Sequence, residues 1–199
     1  HLIYIRFYTK FLRDLGLLNF NEPAKKLFNQ GMLHGEDGNK MSKSLGNVIN
    51  PLDTIKNYSA DALRFFLVSV SSPDSDMNWS DKGVKTTQKF INKIFEFFTN
   101  NKPSKSSEKI ESKINKAIKE ITKNIEDLKY NIAIIKLRQL FEAIEQEKEI
   151  SKKDTETFLK LLNPFCPHLT EELWEKLGNK PSLSTQSWPE PNLSKINQN

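Results

Sequence analysis

The densest chemistry in this sequence lies in five consecutive residues, Lys40-Met41-Ser42-Lys43-Ser44. A lysine ammonium is a compact point charge with three donors on a flexible stem. Two of them three residues apart, interleaved with two hydroxyls, suit an anionic group such as a triphosphate. Lys40 and Lys43 could follow the charge that develops on a triphosphate as its α-phosphorus is attacked, stabilising that transition state electrostatically. Ser42 and Ser44 could add hydrogen bonds, helped by backbone N–H groups around Gly46. No general base is needed if the attacking group is already a carboxylate. On spacing alone, a solvated lysine-serine turn is the commoner meaning of Lys-x-x-Lys, and both readings stand at this point.

The elements that must position the loop follow from punctuation and periodicity. Leu2 to Leu15 reads as an aromatic-rich amphipathic helix closed by Gly16. Pro23 after Glu22 suits a short helix to about Phe28. Gln30 to His34 reads as a buried strand, and Glu36-Asp37-Gly38-Asn39 as a turn. Lys40 to Asn50 has no clean period and reads as loop. Asn50-Pro51 caps a helix to about Asn57, and Ser59 caps another from Ala60 to about Ser69. Ser80 caps a long helix carrying Val84, Phe90, Ile91 and Ile94. Asn100 to Ser107 reads as a linker. Helical patterns then run over Glu108–Leu128, Asn131–Gln146, Lys152–Leu162 and, after Pro164 and Pro167, Leu169–Leu177. One strand at most is legible. Since a parallel strand needs a partner, and the chain opens on His1 rather than Met, the expectation is an excised segment of something longer.

Bulk properties restrict the class without deciding it. Charged residues are 28% of the 199 and hydrophobic residues 37%, which suits helices with wet faces. The run Leu63 to Val70 is broken by Arg64 and is too short to span a bilayer, so no membrane partner is expected. A single cysteine, Cys166, excludes an internal disulfide and fits a reducing, cytoplasmic setting. One cysteine and three histidines offer no zinc spacing. The net charge of +5 is spread over both halves and permits nucleic-acid binding without demanding it.

The string Met41 to Ile49, with Leu45-Gly46-Asn47-Val48 after the serines, resembles the second signature motif of class I aminoacyl-tRNA synthetases. The resemblance implies an ATP site in which Lys43, with Lys40, contacts the phosphates, and in which Mg2+ accompanies ATP as its counter-ion. Tyr58-Ser59-Ala60-Asp61-Ala62-Leu63-Arg64 is similar to the family's Y-G-A-D-x-x-R segment, with Ser59 in place of the usual glycine. Asp61 and Arg64 are expected to pair one helical turn apart. His1-Leu2-Ile3-Tyr4-Ile5-Arg6-Phe7, Asn19-Phe20-Asn21-Glu22-Pro23 and Met77-Asn78-Trp79-Ser80 favour the leucyl branch, with valyl enzymes as the nearest alternative. By the same resemblance Gln30-Gly31-Met32 lies under the adenine. There Gly31 and Met32 would read the base edge through backbone N–H and C=O, and His1 would sit at the edge of the leucine pocket.

The second half is similar to the anticodon-binding domain of the same group, most closely over Leu161 to Trp174. His168 is expected to act as a structural cap or core partner, and His34 to be an ordinary surface residue. Lys109, Lys113, Lys116, Lys119 and Lys123 recur at helical spacing. That stripe could meet tRNA phosphates or could be a solvated face balanced by Glu108, Glu111, Glu120 and Glu126.

The expected architecture is mainly α: the C-terminal part of a Rossmann-type catalytic domain over 1–79, a helical anticodon-binding bundle over 80–180, and an extended tail over 181–199. The implied function is ATP-dependent ligation of leucine to its tRNA through a leucyl-adenylate, in partnership with an N-terminal remainder and with the isolated chain inactive. A non-catalytic tRNA-binding or assembly subunit of a split enzyme is the competing reading.

Overall fold

A computed structural model describes residues 2–196. By packing, the chain divides between Gln30 and Gly31. The first unit holds α1 (Leu2–Asp14) and the segment after it. Gly16 ends the helix at φ +72°, a conformation glycine adopts without a Cβ penalty. The helix expected over Pro23–Phe28 does not form. Glu22, which would have to serve its first turn, is instead held by Arg6 through two bonds of 2.7 and 2.8 Å. Six residues without a cap are too few to offset helix nucleation.

The second unit is mainly helical. It contains β1 (Leu33–His34), α2 (Pro51–Asn57), α3 (Ala60–Ser69), β2 (Met77–Asn78), α4 (Asp81–Asn100), α5 (Glu108–Glu126), α6 (Tyr130–Glu147), α7 (Lys152–Leu162) and α8 (Pro167–Lys176). Serine begins most of these helices. The side chains of Ser59, Ser80, Ser107 and Ser151 each accept a bond from the backbone N–H three residues on, and Asn50 does the same for Leu52. Those boundaries agree with the sequence reading to the residue at Pro51, Ala60, Glu108 and Lys152. Helix α8 starts two residues earlier than expected, at Pro167, because its cap comes from elsewhere in the fold.

A second strand is present where one at most was expected. Leu33 pairs with Met77 and His34 with Asn78 in a parallel, two-residue ladder. Strands this short carry no alternation to read, and the pairing spans 44 residues. The strand also begins at Leu33 rather than Gln30, and His34 is half-buried in it rather than on the surface.

One hydrophobic core runs from α3 through α8. Phe65, Ile94, Ile114, Ile134, Phe141 and Phe158 lie at or near zero exposure. Edge-to-face rings link Phe90, Phe97 and Phe141 at centroid distances of 5.6 and 5.7 Å. Arg138 lays its guanidinium 4.2 Å over Phe90, and burial pulls its pKa down. Gly83 lets α4 approach α3: a Cβ there would come within 2.5 Å of the Phe66 ring. The boundary read at residue 79/80 therefore falls inside a continuous core. Residues 183–188 of the tail are tied to the bundle. Leu183 is buried, the Glu171 carboxylate accepts from the N–H groups of Leu183 and Ser184, and Trp188 donates to Thr122 at 2.8 Å.

Candidate functional site

The lysine-serine loop hangs from the two-stranded ladder. After β1 the chain turns at once: Gly35 donates to Asn39 O at 2.8 Å, and Gly38 sits at φ +75°. Asp37 holds the turn by accepting from both the backbone and side chain of Asn39 at 3.0 Å, which keeps its carboxyl below the usual range. Lys40 then returns to form an antiparallel bridge with His34. The loop's root is thus fixed to the strand, and α2 fixes its far end from Pro51 onward.

Between these anchors the loop is built, not slack. Leu45 donates to Ser42 O at 3.1 Å and Gly46 to Lys43 O at 3.3 Å, two overlapping turns that bring Gly46 to φ +66°. Ser44 N–H donates to Ser42 Oγ at 3.2 Å, and the two hydroxyls lie 2.7 Å apart. Asn47 spans the loop, accepting from Ser42 N–H at 2.8 Å and donating to Lys40 O at 3.4 Å. Lys40 and Lys43 are both exposed, and neither has a carboxylate within ion-pair distance among the described residues. Two uncompensated ammoniums and two hydroxyls on a shaped turn are a donor set that fits a triphosphate.

The Gln30–Met32 segment is more constrained than its sequence suggested. Gly31 N–H donates to Pro73 O at 2.8 Å, and Met32 N–H to the Asp76 carboxylate at 2.7 Å. Met32 O accepts from Met77. Those three groups serve the fold, and the Met32 side chain is 43% exposed. Gly31 is required here by space: a Cβ would lie 2.1 Å from Ser75 O. His1 lies outside the described residues.

Asp61 and Arg64 do not pair with one another. Asp61 is buried at 3% exposure, and its carboxylate accepts from Leu169 N–H at 2.7 Å and His168 N–H at 3.4 Å, and meets His168 Nδ1 at 2.8 Å. It is the N-cap that α8 lacks, since Cys166 supplies no side-chain bond there. Arg64 donates to Pro164 O at 3.2 Å, one turn earlier in the same corner. The local-pair expectation fails because both side chains find backbone groups of a broken helix junction that need them more. An apolar cleft of about 430 Å³ beside this corner is lined by Arg64, Leu67, Val68, Ile125 and Tyr130 and contains neither loop lysine.

On α5, Lys109 pairs with Glu147 and Lys123 with Asp127, whereas Lys113, Lys116 and Lys119 have no ion pair among the described residues. Lys113 and Lys116 line a cleft of about 250 Å³ with Lys136 and Gln139 of α6. Among the described residues no group of three His, Cys, Asp or Glu could hold a metal ion, and no helix is long and apolar enough to cross a membrane.

Sequence reasoning gave Asn47 no role of its own and gave Asp61 the wrong partner. An amide directly after a turn glycine was the available signal for the first. Nothing local signalled the second.

Residues 5–80 match the model for class I tRNA synthetases of the I, L, M and V group, and residues 107–199 that for the anticodon-binding domain of tRNA ligase. The chain is 45% identical over its whole length to a leucine--tRNA ligase of Mycoplasma mycoides, and 41% identical over 95% of its length to that of Chlorobaculum tepidum. It spans about a quarter of the length of these curated relatives (25% and 24%). The LeuRS of Agrobacterium radiobacter K84, solved in a ternary complex with tRNA and LeuAMS, superposes on 99% of the chain with a TM-score of 0.88 at 30% identity, using 28% of that structure. A methionyl-tRNA synthetase of Mycobacterium tuberculosis shares the fold over 88% of the chain and 42% of its own, at TM-score 0.62 and 17% identity. With both halves matched and the lysine-serine loop in place, the chain belongs to the class I tRNA synthetases, as a homologue of one part of leucine--tRNA ligase.

Proposed function

We propose that this chain supplies the ATP-phosphate loop and the tRNA-supporting helical bundle of a leucine--tRNA ligase, acting in the cytoplasm together with the remainder of that enzyme. The observation that carries the reading is the shaped loop whose two lysines have no carboxylate partner among the described residues. The reaction it serves joins leucine and ATP to leucyl-adenylate and pyrophosphate, then passes leucine to its tRNA. In the first step the leucine carboxylate attacks the α-phosphorus, and charge moves onto the departing pyrophosphate. Lys43 and Lys40 offset that charge, most strongly in the transition state, so they raise the rate more than they tighten ATP binding. Mg2+ bound with ATP shares that load. The functional division falls near residue 80, a reading supported by the extent of the class I match, although the core runs through it.

Leucine-dependent pyrophosphate exchange tests this. The 199-residue chain alone is expected to be inactive. Lys43→Ala in the full-length protein is expected to lower the exchange rate about 10²- to 10³-fold. Robust exchange by the chain alone, or an unaffected Lys43→Ala enzyme, would overturn the proposal. Exchange with valine but not leucine would move it to the valyl branch.

A further inference from the structure

The loop that carries Lys40 and Lys43 is closed by a residue outside its five-residue signature. Asn47 accepts the Ser42 N–H at 2.8 Å and donates toward Lys40 O at 3.4 Å, so one amide grips the backbone on both sides of Met41. The Asp37 carboxylate, held by Asn39, is further favoured in its charged form by the nearby Asn47 amide. Asn47 is half-buried, and it lies over Gly35: a Cβ on Gly35 would approach its Nδ2 to 3.2 Å and Asp37 Oδ1 to 2.6 Å. Gly46, at φ +66°, turns the chain so that the amide reaches back across the loop. Few side chains could replace it. The site asks for an acceptor and a donor on one short planar group: aspartate offers no donor when ionised and leucine offers neither.

From this geometry we infer that Asn47 is a positioning residue for adenylate formation, holding the Lys40–Ser44 backbone in the form that presents the two lysines to the phosphates. The inference rests on the proposed ATP role of that loop. A lysine on a slack loop loses its catalytic advantage because its charge must be reorganised during the reaction, whereas a charge held in place costs nothing at that moment. Asn47 touches no reacting atom in this role. It acts through the backbone that bears the lysines.

The test uses the full-length protein carrying Asn47→Ala, Asn47→Ser and, as reference, Lys43→Ala. Leucine-dependent pyrophosphate exchange is measured across ATP concentrations. Brief trypsin cleavage after Lys40 and Lys43 is followed by mass spectrometry. Asn47→Ala is expected to lower kcat for exchange by about ten- to a hundredfold, with the KM for ATP changing less than about threefold. It should also raise cleavage within the loop several-fold without raising cleavage elsewhere. Asn47→Ser, whose hydroxyl can meet only one of the two backbone groups, should fall between Asn47→Ala and the unaltered protein on both readouts and guards against a misfolded alanine variant. Unchanged loop cleavage in both variants overturns the clamp itself. Increased cleavage with an unchanged or faster exchange rate overturns its positioning role. If Lys43→Ala also leaves exchange intact, the ATP reading of the loop falls, and the role assigned to Asn47 falls with it.

Discussion

Asn47 and Asp61 use the same chemistry at two very different ranges. Each is a short polar side chain that satisfies backbone groups left over by an irregular junction. Asn47 closes a turn over partners five and seven residues away, in a half-exposed site. Asp61 reaches partners 107 and 108 residues away, with 4% of its side chain exposed. The first device belongs to one turn, so its loss should be felt mainly in that turn's chemistry. The second joins α3 to the start of α8 inside the core, so its loss should be felt by the whole second unit. The difference follows from burial: an orphaned N–H at the surface is met by water, while one in the core has no substitute.

The sharpest way to break that contrast is Asp61→Ala. It leaves the Leu169 N–H buried and uncapped, and we expect the chain to lose about 3 kcal/mol of unfolding free energy, measured by urea denaturation. A loss below about 1 kcal/mol would mean that water takes the place of the carboxylate. Gly31→Ala is next, at about 2 kcal/mol, because its Cβ would meet the Ser75 backbone and not a side chain able to swing away. The measurement is the same, and an unchanged midpoint would show that the Ser71–Asp76 loop yields freely. Replacing Lys113, Lys116 and Lys119 together by Gln should weaken tRNA binding and flatten its salt dependence, by a log-log slope of roughly two to three, as read by filter binding at several salt concentrations. Unchanged slopes would return these lysines to a solvated face. The smallest stability effect belongs to Asn47→Ala, under about 1.5 kcal/mol; a cost as large as that of Asp61→Ala would erase the distinction between a local and a global clamp.

The loop and its flanks were legible in the sequence because their signals are local. Asn50-Pro51, Ser59 and Ser80 each announced a helix start through a cap that needs only its own next turn. The lysine-serine string stood out through its residue types alone. The strand at Met77 was hidden because two residues show no period and the partner lies far away in sequence. The helix expected after Pro23 was over-read because Glu22 had a second suitor in Arg6, sixteen residues earlier. Asp61 and Arg64 were misassigned to each other for a similar reason. Helical spacing makes i, i+3 neighbours available, but it does not say what else competes for them.

By itself, then, the sequence determined most of the helices, the caps at Asn50, Ser59 and Ser80, the charged loop and the family likeness, since each depends on neighbours along the chain. Only the tertiary structure decided that the loop is shut by Asn47, that the Gly31 and Met32 amides are already spent on Pro73 and Asp76, and that Asp61 caps a helix more than a hundred residues away. Those outcomes turn on which polar groups are left without water once the core closes, and that is a property of the packed chain.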